Sequence, residues 1–137
     1  MKVHDLEIPG LKLIEHAVFN DPRGYFFECF NSAAFEKNNL PVQFFQDNIS
    51  KSAKDTIRGL HYQAGKNAQG KLCQVLHGTV LDVAVDIRFG SPTFGQYGMV
   101  ELSGENKSML WIPPGFAHGF SVLRDEAIFY YKCTAPY

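Results

Sequence analysis

The segment Val80-Leu81-Asp82-Val83-Ala84-Val85-Asp86-Ile87-Arg88 carries the clearest structural pattern in the chain. Its apolar and polar side chains alternate with a period of two, which is the spacing of a β-strand. One face holds Leu81, Val83, Val85 and Ile87, and the other holds Asp82, Ala84, Asp86 and Arg88. Because the second face is polar, we expect it to line a wet cavity or to meet bulk solvent.

Other short segments have the same strand-like composition, and turn-forming residues separate them. Strands are predicted at 24–30, 42–45, 71–76, 97–102, 108–112 and 128–133. Helical periodicity is nearly absent, and the best helical candidate is 32–38 with Ser32 as N-cap. Many short strands at even spacing predict an all-β protein: one antiparallel sandwich or jelly-roll barrel over residues 1–137, with short helical segments.

Composition and charge exclude several classes of protein. Hydrophobic residues make up 45% of the 137 residues, which argues against disorder, and the net charge of −1 gives no support to nonspecific nucleic-acid binding. No apolar run approaches the roughly 20 residues of a membrane helix, and the start of the chain has no signal-peptide core. The odd set of Cys29, Cys73 and Cys133 indicates reduced thiols, so we expect a cytoplasmic protein.

The segment Arg58-Gly59-Leu60-His61-Tyr62-Gln63, followed by Lys71, contains groups that can take part in acid–base chemistry. A histidine can accept a proton near neutral pH, and a nearby cation can stabilise the negative charge that proton removal leaves. The pattern therefore suggests proton abstraction next to a carbonyl, without a cofactor. In a regular strand Arg58 and His61 would face opposite sides, unless Gly59 introduces a bulge or bend.

A metal centre is the main competing interpretation, because small β-barrels often bind metal through two histidines and a carboxylate. Gln63 stands where a second histidine would complete a His-x-His motif, and the cation of Lys71 would oppose a metal. The five histidines, His4, His16, His61, His77 and His118, form no ligand motif. We expect no metal, and cysteine nucleophile chemistry is weaker still because no cysteine lies in a cationic motif.

Three further segments have polar groups that suit ligand binding. Residues 21–28 combine a cation, a carboxylate and aromatics, or form a plain turn leading into a strand. Gln46-Asp47-Asn48 could read a polar heterocycle, or form a polar loop. In Tyr130-Tyr131 one phenol should point inward, either as a proton donor or as a core tyrosine.

Together these segments resemble the dTDP-4-dehydrorhamnose 3,5-epimerase family, the RmlC-like cupins. The matching stretches follow the family's order along nearly the whole chain: 21–28, 46–52, 58–63, 67–72, 82–88, 91–95 and 111–120. The resemblance implies a cupin jelly roll, a homodimer with swapped N-terminal strands, no cofactor, and a dTDP-4-keto-6-deoxyhexose substrate epimerised at C3 and C5. A single-carbon epimerase, a ketoisomerase and a non-catalytic nucleotide-sugar-binding cupin remain as alternatives.

The resemblance also implies a role for individual residues. His61 matches the general base, Tyr131 the proton donor, and Lys71 the cation beside the enolate. The substrate-binding positions of the family match Arg23, Glu28, Gln46, Asp47, Asn48, Arg58, Lys71, His118 and Tyr137. Within this set Tyr137 matches a tyrosine that stacks on the thymine, whereas Arg23 and Glu28 match residues that serve the neighbouring subunit's site.

One element of the family pattern is not found in this sequence. Family chains continue past the position of Tyr137, and the segment that follows carries a carboxylate that pairs with the base histidine and fixes its tautomer. We expect that segment to be absent here. Either the sequence represents a truncated or partial protein, or His61 uses another partner, for which Asp82 and Asp86 are the candidates. An inactive or weakly active product is a further alternative.

Overall fold

The computed structural model describes residues 1–137 and consists mainly of antiparallel strands. The strands are β1 (Lys2–Asp5), β2 (Lys12–Glu15), β3 (Phe19–Asp21), β4 (Gly24–Phe26), β5 (Gln46–Ser52), β6 (Ile57–His61), β7 (Lys71–Asp86), β8 (Tyr97–Ser103), β9 (Met109–Ile112) and β10 (Phe116–Cys133). The helix α1 (Ser32–Lys37) follows β4, and a single 3-10 turn (Gly65–Asn67) precedes β7. None of the helices is long and apolar enough to cross a membrane.

The predicted all-β class is confirmed, and most of the predicted strands coincide with observed ones. The helix is also present, although its N-cap is Asn31, whose side-chain oxygen accepts a hydrogen bond from the Ala34 N–H, and not Ser32. The strand predicted at 42–45 was wrong, because the strand in this region begins at Gln46. The two predicted strands at 71–76 and 80–88 belong to one bent strand, β7, which ends at Asp86. The strand predicted at 24–30 is confirmed only for its first three residues, β4.

Two long strands, β7 and β10, hold the fold together because each runs through both layers of the sandwich. The first layer has the order β1-β2-β9-β7-β10-β5 and uses the first half of β7 and the second half of β10. In the second layer, β8 pairs with the second half of β7 and β6 pairs with the first half of β10. All of these pairings are antiparallel, and the resulting architecture is a jelly roll, as predicted.

The change of layer takes place where the two long strands are least regular. Gly78 has a φ of +86°, and a Cβ at this position would collide with the backbone of Glu126 and Ala127 on the facing strand. On β10 the pairing register shifts between Arg124 and Ile128, opposite this glycine. A glycine bend facing an irregular segment lets both strands turn together without breaking their ladder.

The hydrophobic core has two parts. The larger part lies between the layers and includes Phe116, Phe120 and Phe129, with the rings of Phe120 and Phe129 stacked at a centroid distance of 4.3 Å. The smaller part lies on the outer side of the first layer, where Phe35 of α1 covers Trp111 and its neighbours. The helix therefore closes the outer face of one layer and leaves the space between the layers to the main core and the cavity.

The structure reverses the expected environment of the two faces of residues 80–88. Asp82 and Asp86 are fully buried, whereas Leu81 and Val83 are only half-buried. The expectation of a wet cavity or bulk solvent around the two aspartates was therefore wrong. Periodicity identifies two faces of a strand, but it does not show which face is buried when each carboxylate has a specific partner.

Asp86 is buried within a dense set of hydrogen bonds at the end of β7. Its carboxylate accepts bonds from the Arg88 guanidinium (3.0 Å) and from the hydroxyls of Ser91 (2.6 Å) and Thr93 (2.5 Å). Arg88 also donates to the Pro9 carbonyl and lies over the Phe116 ring. Hydrogen bonds hold the pKa of Asp86 far below 3.8 although burial opposes this. The Arg88 side chain has the largest effect, and Ser91, Thr93 and the Arg88 backbone N–H add to it.

We predict that Asp86→Asn lowers the free energy of unfolding at pH 7 by roughly 2 kcal/mol, the usual worth of hydrogen bonds to a charged group. A carboxyl with a depressed pKa stabilises the fold above its unfolded-state value and loses that contribution as pH falls. The native protein should therefore lose stability below the ordinary aspartate value of 3.8, and the gap to the variant should narrow there. Urea unfolding at several pH values measures both effects, and a gap that stayed constant with pH would contradict the assignment.

Candidate functional site

A bulge in β6 places two of the predicted functional side chains on one face. His61 pairs with His118 and Arg58 pairs with Phe120, so β6 takes three steps where β10 takes two. Because directly paired residues share a face, Arg58 and His61 both face the interior side of β10. The bulge anticipated at Gly59 is thus present, and the sequence had left this point open.

Gly59 is required at this bulge by the close approach of the two backbones. Its φ is +98°, and a Cβ here would collide with the His118 carbonyl and with Gly119. Gly119 is equally restricted on the opposite strand, because its Cβ would meet the Arg58 carbonyl. The Gly59–Leu60 peptide is cis. Two glycines facing each other therefore allow β6 to lie tightly against β10, which brings His61 to the cavity edge.

An open cavity of about 540 Å³ lies between the two layers at this end of the sandwich. Its lining consists of Gln46, Asn48, Leu60, His61, Tyr62, Gln63, Gln69, Lys71, Tyr131 and Tyr137. The volume falls within the range of small-molecule sites, and the wall combines aromatic surfaces with a few polar groups. The structure therefore brings together the three predicted catalytic residues, His61, Lys71 and Tyr131.

Tyr131 and Lys71 lie side by side on the first layer. The Lys71 ammonium is 5.5 Å from the centre of the Tyr131 ring, within cation–π range. Tyr131 is half-buried, and burial is the largest of the causes that raise the pKa of its phenol above 10.0. The phenol therefore keeps its proton at neutral pH, as a proton donor must.

Of the two adjacent tyrosines, only Tyr131 faces the cavity. Tyr130 lies on the outer side of the layer, where its hydroxyl donates to Asp47 at 3.0 Å. The Lys132 ammonium also binds both oxygens of that carboxylate at 3.1 Å. The Asp47 side chain thus lies on the face opposite to the cavity, and its role in substrate binding stays a prediction.

The inner face of β5 supplies amide groups to the cavity wall. Gln46 and Asn48 line the cavity, and the Gln46 side-chain amide donates to Oδ1 of Asn48 at 3.1 Å. Asn48 also lies directly opposite Tyr131 in the β5–β10 ladder. Carbonyl and amide groups in this arrangement can recognise polar substituents of a ligand.

Arg58 reaches across from β6 to β5. Its Nε donates to the Ser52 hydroxyl at 2.7 Å, and a terminal nitrogen lies 3.4 Å from the Lys51 carbonyl oxygen. Its charge is close enough to Tyr131 to act on the phenol's pKa. Arg58 and Lys71 therefore give this end of a nearly neutral chain local positive charge, which suits an anionic ligand.

Neither aspartate considered as a partner for His61 has that role. Asp86 binds Arg88, as described above, and Asp82 accepts a hydrogen bond from His118 Nε2 at 2.5 Å. Within residues 1–137 no carboxylate makes a hydrogen bond to His61. The interpretation of Asp82 or Asp86 as the orienting group is therefore wrong, because each carboxylate is fully buried against a different cation or histidine.

His118 lies beneath the cavity and not in its wall. It is 5% exposed and packs against the Phe129 ring. Its contact with the substrate stays a prediction.

Cys73, Asp82 and His118 are near enough to resemble a set of metal ligands, because their donor atoms lie within 4.8 Å of one another. However, His118 Nε2 is hydrogen-bonded directly to Asp82, which uses the nitrogen that would bind an ion. Burial, followed by the charge of Asp82, raises the pKa of the Cys73 thiol well above 9.0, so the thiolate that metals prefer is disfavoured. We interpret this cluster as a buried hydrogen-bonded pair beside a neutral thiol.

Arg23 and Glu28 lie outside the cavity of their own chain. Arg23 is at the tip of the β3–β4 hairpin, where its side chain is 90% exposed and pairs with Asp21 at 2.7 Å. Glu28 borders a separate small cavity beside α1 together with His16. Within one chain, therefore, the structure does not bring either residue to His61.

Four residues of the cavity wall were given no role from the sequence: Leu60, Tyr62, Gln63 and Gln69. Leu60, Tyr62 and Gln63 belong to the recognised motif around His61, and proximity along the chain could have indicated them. Gln69 lies in the loop before β7, where no periodicity gives the direction of a side chain. Only the tertiary structure shows its contact with the segment that carries Tyr137.

Comparisons with known proteins give matches to one family. The chain matches the family model described as dTDP-4-dehydrorhamnose 3,5-epimerase over residues 5–137. It is 56% identical to the dTDP-4-dehydrorhamnose 3,5-epimerase of Shigella flexneri, over 100% of this chain and 76% of that protein. It is also 56% identical to the Pseudomonas aeruginosa enzyme, over 98% of this chain and 74% of the relative.

A solved structure shows the same fold. The RmlC epimerase of Legionella pneumophila, determined in complex with dTDP-4-keto-L-rhamnose, superimposes with a TM-score of 0.95 at 52% identity. The match covers 99% of this chain and 72% of that one. The shared fold and the extent of these matches show that this chain belongs to the dTDP-4-dehydrorhamnose 3,5-epimerase family.

Proposed function

We propose that this protein epimerises C3 and C5 of a dTDP-4-keto-6-deoxyhexose in the synthesis of dTDP-L-rhamnose. The observation that carries the proposal is the convergence of His61, Lys71 and Tyr131 on one cavity within this family's fold. The Legionella relative, which was solved with a dTDP-4-keto sugar, supports the same class of substrate.

The residues of the cavity suit proton transfer next to a ketone. A carbonyl at C4 acidifies the C–H bonds at C3 and C5, so a neutral histidine can remove either proton. The pair of electrons moves onto the C4 oxygen, and the ammonium of Lys71 stabilises the resulting enolate. Exchange with solvent then removes the proton that His61 gained and restores the proton that Tyr131 lost. Because the product is an isomer of the substrate, no oxidant or reductant is needed.

The placement of His61 and Tyr131 on different layers supports an inversion of configuration. His61 is carried by β6 of one layer, and Tyr131 by the part of β10 that belongs to the other layer. A sugar ring held between them would lose a proton to His61 on one face and receive one from Tyr131 on the opposite face. Because its pKa is raised, the Tyr131 phenol is protonated at neutral pH and can donate a proton in this step.

The nucleotide end of the substrate fits the remaining groups. Arg58 would pair with the diphosphate, since a guanidinium matches phosphate oxygens in charge and geometry. Gln46 and Asn48 offer amide groups for the polar edge of the base, and Tyr137 offers a flat aromatic surface at the cavity mouth.

We also infer that the protein acts as a homodimer in which Arg23 and Glu28 serve the partner's site. The β3–β4 hairpin forms a two-stranded sheet apart from the main sandwich, and such isolated hairpins are marginally stable in water. Phe19 and Phe26 on this hairpin are 65% and 69% exposed, which is unusual for large apolar side chains and suits burial against a second copy.

The three cysteines are free, which supports a reducing cytoplasmic environment.

The function is tested by deuterium uptake from heavy water at C3 and C5 of the 4-keto sugar, followed by NMR. We expect uptake at both carbons with the native protein and a loss of about 10²- to 10⁴-fold in the His61→Ala variant, the usual contribution of a general base. His77→Ala is the matched control, because His77 is exposed and lies away from the cavity. Absence of uptake with folded native protein would sink the proposal, and uptake at one carbon only would replace it with a single-carbon epimerase.

The proton donor is tested by comparing two adjacent tyrosines. Tyr131→Phe should lower turnover by about 10²- to 10⁴-fold, whereas Tyr130→Phe should leave it nearly unchanged because that phenol faces outward. Because the pKa of Tyr131 is raised, activity lost through its ionisation should appear only above pH 10.0. Equal effects of the two changes on the rate would remove Tyr131 from this role.

The shared site is tested by mixing two inactive variants. A dimer that contains one Arg23→Ala subunit and one His61→Ala subunit has one intact site, if Arg23 acts across the interface. Random reassociation should then restore about a quarter of native activity, because half of the dimers are mixed and each has one of two sites intact. If Arg23 serves its own subunit's site, the mixture stays inactive.

A further inference from the structure

The segment 134–137 follows β10, has no regular secondary structure, and carries Tyr137 to the cavity mouth. Among residues 1–137, Tyr137 is 96% exposed. Residues without packing or ladder hydrogen bonds are normally mobile. The backbone of this segment makes polar contacts that can fix the position of the ring.

Three glutamine side chains supply those contacts. The Gln69 amide donates to the Ala135 carbonyl at 2.8 Å, and the Gln63 amide lies 3.4 Å from the Pro136 carbonyl oxygen. The side-chain oxygen of Gln46 accepts a hydrogen bond from the Tyr137 N–H at 2.8 Å. All three glutamines also line the cavity.

The loop that precedes β7 adds a second set of bonds to the same segment. Gly70 N–H donates to the Thr134 hydroxyl at 2.8 Å, and the Thr134 N–H donates to the Gly70 carbonyl at 3.0 Å. Gln63 further donates to the Asn67 carbonyl at 2.6 Å, which fixes its side chain across the loop. The loop and the segment are thus tied together at Thr134, Ala135 and Pro136.

We propose that Gln63 and Gln69 are positioning residues that hold the 134–137 segment so that the Tyr137 ring forms a fixed wall for the nucleoside base. The inference rests on the proposed function, because it assumes that the base of the nucleotide sugar lies against Tyr137. A ring that is already in place loses less conformational freedom when a ligand stacks on it, and this raises affinity. His61, Lys71 and Tyr131 are held by strands, so the proton-transfer groups do not depend on these glutamines.

The proposal predicts a change in affinity and KM with little change in kcat. Gln69→Met keeps the length of the side chain and removes its donor, and it should weaken binding of dTDP by about fivefold, which corresponds to one ordinary hydrogen bond. Gln63→Met should have a smaller effect in the same direction, because its bond to Pro136 is longer. Gln43→Met is the matched control, since Gln43 is exposed and lies outside the cavity.

A double-mutant cycle separates positioning from general destabilisation. Calorimetry with dTDP would compare Gln69→Met in the native background and in a Tyr137→Ala background. We expect the fivefold loss only where Tyr137 is present, because without the ring there is nothing to position. An equal loss in both backgrounds, or no loss in either, overturns the proposal, and so does a fall in kcat with KM unchanged.

The outcomes also distinguish this inference from the proposed function. If the native protein binds dTDP and exchanges solvent deuterium but the double-mutant cycle is additive, the proposed function stands and the positioning role of the glutamines is wrong. If the native protein neither binds dTDP nor exchanges deuterium, both the proposed function and the positioning role are wrong. If Gln69→Met lowers the melting temperature, the Gln63→Met cycle provides the same comparison from a different contact.

Discussion

The pairing of β7 with β10 is the interaction on which the rest of this structure depends. Both strands pass through both layers, and every other strand of the main sheet attaches to this pair directly or through β9 and β2. The same two strands carry Lys71 and Tyr131 at one end of the ladder and Asp82 and His118 near the other. A register slip of one residue would turn all of these side chains to the opposite face, so the chemistry and the fold share one constraint.

The close contact between Gly59 and Gly119 is the second requirement, because it joins β6 to this pair. Without it, the alternation of a regular strand would send Arg58 and His61 to opposite sides of the layer. The extra residue in β6 places both on the interior side, where His61 lines the cavity together with Lys71 and Tyr131 of the long strands. The motif around His61 therefore determines the backbone conformation of β6 and also supplies reactive side chains.

The sequence predicted the class of fold, the helix at 32–38 and most of the strands, because period-two alternation is a local property. It also predicted that His61, Lys71 and Tyr131 would act together, which the cavity supports. The sequence did not predict the burial of Asp82 and Asp86, since the partners that make it possible, His118 and Arg88 with its neighbours, are defined by tertiary contacts. The outward orientation of Asp47 likewise depends on tertiary contacts between segments that are distant in the sequence. The same is true of the contact between Gln69 and residues 134–137.

The exposed edge strand β6 has a consequence for how this molecule responds to heat. It pairs with β10 alone, and all five of its residues are exposed. Edge elements with few buried contacts open at lower free energies than the strands at the centre of a sheet. Since β6 carries His61, inactivation on warming would precede melting of the sandwich, and backbone amides of β6 would exchange with solvent sooner than those of β7.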